Sequence, residues 1–156
     1  MTEKEKLDKL IRHIQNVREA TELLGFKLLE EGKEYGKELI ANGLIHDNSK
    51  FAGIEWLYLH SDSKENEPAL FELATKHHIR TNLHHPEAWY GGISTMSELY
   101  LAECVCDWKA RSSEFGNDLR GWIKDKATEK FNFTTQSRVY KDIKKFLDLL
   151  LDPEFK

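Results

Sequence analysis

His46 and Asp47 stand side by side where an amphipathic segment ends. An imidazole and a carboxylate placed this way can both reach one cation, one through nitrogen and the other through oxygen. Two further ligand-type residues lie in apolar surroundings. His13 shares one side of a helical stripe with Leu10, Val17 and Ala20, and Asp107 interrupts LYLAECVCDWKA between Cys106 and Trp108. Burying an unpaired carboxylate is costly and drives neutralisation, so each acid calls for a partner, and one shared metal would serve them all. A second group is denser: His77, His78, His84 and His85 place four histidines within nine residues. Arg111 follows Asp107 by four positions, on the same helix face, where its guanidinium could clamp a phosphate bidentately. Glu103, one turn before Asp107, is placed to orient a metal-bound imidazole.

Helices must position these groups. Leu7, Leu10, Ile11, Ile14, Val17, Thr21, Leu24 and Leu28 recur at three- and four-residue steps, predicting a helix over 3–31 that opens on a Thr2/Glu5 capping box. A second helix carries Tyr35, Leu39, Ile40 and Leu44 into the His46-Asp47 pair, and a third covers 52–60. SDSKENE then reads as an exposed loop. Pro68 fits the first turn of a fourth helix running to the first histidine pair. Asn82, Pro86 and Gly91-Gly92 predict an irregular stretch over 81–92. Thr95 and Glu98 read as a second capping box, opening a helix through Asp107 to about Ser113, with further helices over 118–130 and 135–151. The expected fold is all-α: about seven helices in one bundle-like domain over 1–156, the metal-site core spanning about 10–116 and the C-terminal helices packing on it.

Composition sets outer limits. The chain has 156 residues, enough for one ordinary core, and a formal charge of −4, which argues against broad nucleic-acid binding. No apolar run reaches the roughly 20 residues of a spanning helix. The charged start MTEKEKLDKL does not fit a signal peptide, so a cytoplasmic location and no membrane partner are expected. Cys104 and Cys106, two apart on a helix, point to different sides and read as small buried hydrophobes rather than a disulfide. His60 reads as a solvated helix end, and Trp89 with Tyr90 as a possible wall for stacking a base. HExxH, CxxC and G-x-S-x-G signatures are absent.

The order His13 … His46-Asp47 … Asp107 resembles the HD superfamily of metal-dependent phosphohydrolases, whose signature is H…HD…D. The strings HDNSKF, HHIRTNLHHPEAW and CDWKARSSEFG look more specifically like a small HD-like family of bacterial and phage proteins. The resemblance implies that His13, His46, Asp47 and Asp107 hold one divalent ion (Mn, Fe, Co or Zn), with Asp47 able to bridge to a second. It further implies His78 and His84 as ligands of that second ion, although spacing leaves open which member of each histidine pair is the ligand. Lys50 sits where the HD-GYP branch has a lysine beside its metals; the GYP part itself is missing here. Lys50 and His85 are then the candidate catalytic groups, and Arg111, His77 and Asn82 the candidate substrate contacts. The activity implied is hydrolysis of a small phosphorylated molecule, nucleotides foremost, by metal-activated water. Two alternatives share the residues: a binuclear-iron HD oxygenase, and a non-catalytic metal- or nucleotide-binding protein.

Overall fold

The computed structural model describes residues 1–151, so Pro153 lies outside the described residues. They form helices and turns without a strand. The long helix α1 (Glu3–Glu30) opens on the expected capping box: Glu5 N–H donates to the Thr2 hydroxyl at 3.1 Å, and Thr2 N–H donates to Glu5 Oε2 at 2.7 Å. Val17, Leu24 and Leu28 are fully buried along its inner face, whereas Ile11, expected in the stripe, is 40% exposed because α1 rotates it out of the core.

Helix α2 (Gly36–Ile45) returns antiparallel along α1. Glycines let the two backbones touch: a Cβ on Gly36 would lie 2.4 Å from the Gly25 carbonyl oxygen, and one on Gly43 would run into the Thr21 hydroxyl. This approach carries His46, at the end of α2, down to the level of His13. In the Gly36→Ala protein the gain in helix propensity is outweighed by backbone crowding that no rotamer change relieves. The expected net loss is about 2 kcal/mol, lowering the melting temperature by roughly 4–8 °C. An unchanged melting curve would show that the helices separate freely.

A 3-10 turn (Asn48–Phe51) leads into α3 (Gly53–Tyr58) and α4 (Ser61–Asn66). The SDSKENE segment is therefore a helix and not the expected loop. His60 makes the difference, and it is more than a solvated end: its Nδ1 caps α4 by accepting from Ser63 N–H at 3.3 Å, while Nε2 donates to the Leu57 carbonyl at 2.9 Å. Helix α5 (Pro68–Thr81) begins on Pro68 as expected.

Helix α6 (Glu98–Phe115) ends on left-handed Gly116 (φ 69°). Its start departs from the Thr95/Glu98 reading. Ser97 is the N-cap residue, and the Thr95 hydroxyl turns back to the Tyr90 and Gly92 carbonyls, 2.8 Å from each. Helix α7 (119–130) contains a π-helical turn at Ile123–Ala127. Helix α8 (Arg138–Leu150) is capped by Ser137, three residues later than the expected start at 135. Ile143, Phe146 and Leu147 of α8 join Leu24 and Leu28 of α1 and Ala102 and Val105 of α6 in one continuous core. No helix among the described residues is long and apolar enough to cross a membrane.

Candidate metal centre

Four elements bring the expected ligands together at the centre of α1, α2, α5 and α6. His13 projects from α1 and is 1% exposed; His46 and Asp47 are each 2% exposed. The chain leaves α2 at His46 and enters a left-handed turn at Asp47 (φ 55°), a conformation that costs most side chains about 1–2 kcal/mol. That turn aims both adjacent side chains inward, which a continuing helix would not do. Asp107, at mid-α6, approaches His13 Nε2 with Oδ1 at 2.9 Å and His46 Nε2 at 3.8 Å.

Asp47 has two faces. Oδ2 lies 3.5 Å from His46 Nε2 and 3.8 Å from His13 Nε2, while Oδ1 lies 3.3 Å from both His78 Nε2 and His84 Nε2. The donor atoms fall into overlapping sets, each within 4.8 Å: His13, His46 and Asp47; His46, His84 and Asp107; and Asp47, His78, His84 and His85. Such separations suit donors at about 2.0–2.2 Å from a shared ion.

The pairing of polar atoms tests that fit. Among the described residues, six buried side-chain atoms have no hydrogen-bond partner: Nε2 of His13, His46, His84 and His85, and Oδ1 of Asp47 and Asp107. All six belong to this cluster, and the close His13–Asp107 pair is misaligned for a hydrogen bond. Orphaned polar atoms are costly one at a time; six converging on one volume are compatible with a bound cation that would satisfy them together.

Carboxylates behind the imidazoles hold them in register. His13 Nδ1 donates to Glu114 Oε2 at 3.0 Å, His46 Nδ1 to Glu103 Oε1 at 3.0 Å, and His78 Nδ1 to Glu55 Oε1 at 2.6 Å. His84 Nδ1 lies 3.3 Å from Glu103 Oε1. Donation from Nδ1 leaves the Nε2 lone pair facing the cluster, the form a metal ligand needs. The field demands positive charge. Burial lowers the His46 pKa, but Asp47, Asp107 and Glu103 outweigh it and hold it at about 10. His84, also opposed by burial, is raised to about 9 by Asp47 and Glu103. Asp47 and Asp107 lie well below the usual carboxylate range despite burial, Asp47 through His46 and Lys50, Asp107 through His13 and His46. Burial, then the charges of His84 and His78, push His85 down to about 3, leaving it neutral and able to ligate.

The remaining expected residues divide. Lys50 pairs with the cluster, its Nζ 3.0 Å from Asp47 Oδ2. His85, expected as a catalytic group outside the ligand set, instead belongs to the donor set of His78 and His84. His77, expected at the substrate, is half exposed on the outer side and binds Glu55 Oε2 at 2.5 Å, because neighbouring helix positions point about 100° apart. Asn82 is likewise occupied structurally, donating to Ser49 Oγ at 2.9 Å and to the His78 carbonyl at 2.8 Å. Arg111 is 44% exposed and pairs with Glu114 Oε1 at 3.1 Å, at the junction of two clefts.

Trp89 and Tyr90 wall neither cleft: Trp89 donates to the Leu83 carbonyl and packs on Tyr100, and Tyr90 is fully exposed. Glu55 and Glu114 were missed. Glu114 had a readable signal, since Glu103, Asp107, Arg111 and Glu114 follow each other at steps of four, four and three along one face of α6. Glu55 could be noticed as a lone acid in the apolar run GIEWLYL.

No curated protein matches this chain, and no solved structure does. One family model matches, over residues 2–153, which takes in every helix described above. The chain belongs to that family, a family of unknown function (DUF5662).

Proposed function

We propose that this protein is a metal-dependent phosphohydrolase with a two-ion centre, acting on a small phosphate ester such as a nucleotide. The observation that carries the reading is the convergence of six unpartnered buried nitrogen and oxygen atoms around a bridging Asp47. His13, His46, Asp47 and Asp107 would hold one ion; Asp47, His78, His84 and His85 would hold the other. Bound divalent ions supply a lowered water pKa and polarisation of a phosphoryl oxygen. The resemblance to HD phosphohydrolases supports the same assignment.

The chain's own residues complete the site. Beside His13, the cleft of about 270 Å³ presents Lys9, Lys50 and Arg111, cations suited to a phosphate dianion. Lys50 is 17% exposed, so its ammonium acts in a partly desolvated place where charge interactions strengthen. A cysteine nucleophile does not fit: both thiols are buried, and burial holds their pKa values well above the ordinary range.

Elemental analysis of the purified protein, combined with a phosphate-release screen over nucleotides and sugar phosphates, tests the reading. Bound transition metal with phosphate release is the expected result. Metal content under about half an equivalent after reconstitution would overturn it, as would oxygen consumption by the iron-loaded protein without phosphate release. In the Lys50→Ala protein turnover should fall on the order of 10²–10³-fold with metal content unchanged. A parallel loss of metal would mean that Lys50 stabilises the ligand set instead.

A further inference from the structure

A second cleft, of about 400 Å³, opens on the other side of the cluster. It is lined by His84, His85 and Asp107 of the cluster and by an aromatic wall of Trp108, Trp122 and Phe131. The three rings pack as a unit. Trp108 stacks on Phe131 at 5.6 Å between centroids and meets Trp122 edge-on at 5.4 Å.

The hydroxyls that line the chamber are already spent. The Thr75 hydroxyl donates to the Phe71 carbonyl at 2.8 Å, and the Ser112 hydroxyl is spent on Asn117, 2.8 Å from its carbonyl and 2.6 Å from Oδ1. The remaining polar and charged side chains that line it outside the ligand set (Glu87, Arg111, Asn117 and Lys130) are exposed. A polyol laid against the three rings would turn hydroxyls onto carbon surface, each one left unpaired costing on the order of tenfold in affinity, whereas a planar ring would stack there.

We propose that this chamber selects the organic part of the substrate, and that the portion it holds is a flat, hydroxyl-poor ring system rather than a sugar. Its phosphate end would face His85 and Asp107, so the inference rests on the hydrolase reading for that end alone. Trp122 and Phe131 are then specificity-determining residues, distinct from the ligand set.

Isothermal titration of the metal-reconstituted protein with 1-naphthylmethylphosphonate, the phosphonate analogue of glucose 6-phosphate, and inorganic phosphate tests the chamber. The naphthyl compound should bind at least about tenfold tighter than the other two. Trp122→Ala should erase that advantage at unchanged metal content. Ile79→Trp, which fills the chamber from α5, should erase it as well and carries the test if Trp122→Ala fails to fold. Equal affinity for the naphthyl and glucose compounds, or an advantage that survives Ile79→Trp, would overturn the proposal. A naphthyl preference without phosphate release from 1-naphthyl phosphate would uphold the chamber and refute hydrolysis. Equal release from 1-naphthyl phosphate and glucose 6-phosphate, with equal affinities, would do the reverse.

Discussion

The Asp47→Ala protein should bind neither ion after reconstitution, whereas the parent should take up about two per chain. The two Asp47 oxygens face both histidine sets, Oδ2 at 3.5 Å from His46 on one side and Oδ1 at 3.3 Å from His78 and His84 on the other. Its removal also strips the counter-charge from Lys50 and His46, and breaking a buried pair costs about 3–5 kcal/mol. A fall in metal content could therefore reflect unfolding, and Asp47→Asn separates the two effects. Asparagine tolerates the left-handed turn at this position and matches the carboxylate in size, but it is a poor bridging ligand. The Asn variant should keep the helical circular dichroism of the parent and lose both ions. Chelation of the parent should lower its melting temperature by about 5–10 °C, given about 2.7 kcal/mol of linkage at a hundredfold excess over the dissociation constant. Retention of both ions by Asp47→Asn would remove the bridging role.

Single-ion loss is the second large effect. His13 belongs to one donor set and His85 to another; the two share Asp47, and the set of His46, His84 and Asp107 contains neither His13 nor His85. His13→Ala should reduce metal content by about one equivalent, and His85→Ala by about one equivalent of the other ion. The two losses should add in the double variant. The remaining ions differ in surroundings: His13→Ala leaves the set of three imidazoles and one carboxylate, and His85→Ala leaves the more oxygen-rich set. Cobalt(II) absorption should therefore differ between the two singly loaded proteins, the nitrogen-rich set giving the spectrum of a stronger field. Identical spectra, or loss of both ions from either variant, would show a single shared site instead of two.

Much of the scaffold was legible one segment at a time. The three- and four-residue rhythm of α1, the Thr2/Glu5 box, Pro68 at the start of α5 and the all-helical class are local properties, set by residues within a turn or two of each other. Two ends were misjudged for local reasons as well. At α4 a histidine imidazole replaces the usual oxygen cap, and at α6 the Thr95 hydroxyl takes the backward bond to Tyr90 and Gly92 in preference to capping.

Residue types and order alone determined that His13, His46, Asp47 and Asp107 could share a cation, because acids and imidazoles inside apolar stripes have few other ways to be satisfied; they left open which member of each later histidine pair joins them. Only the tertiary structure decided between His77 and His78, brought His85 in and turned Trp89 and Tyr90 away from the site. It also placed Glu55 and Glu114 behind the ligands and built the aromatic wall from α6, α7 and Phe131. Adjacent residues on a helix point about 100° apart, so the choice between them depends on how each helix is rotated against its neighbours. That rotation is set by packing such as the Gly25–Gly36 contact, which joins residues from different helices and has no signature in either segment by itself.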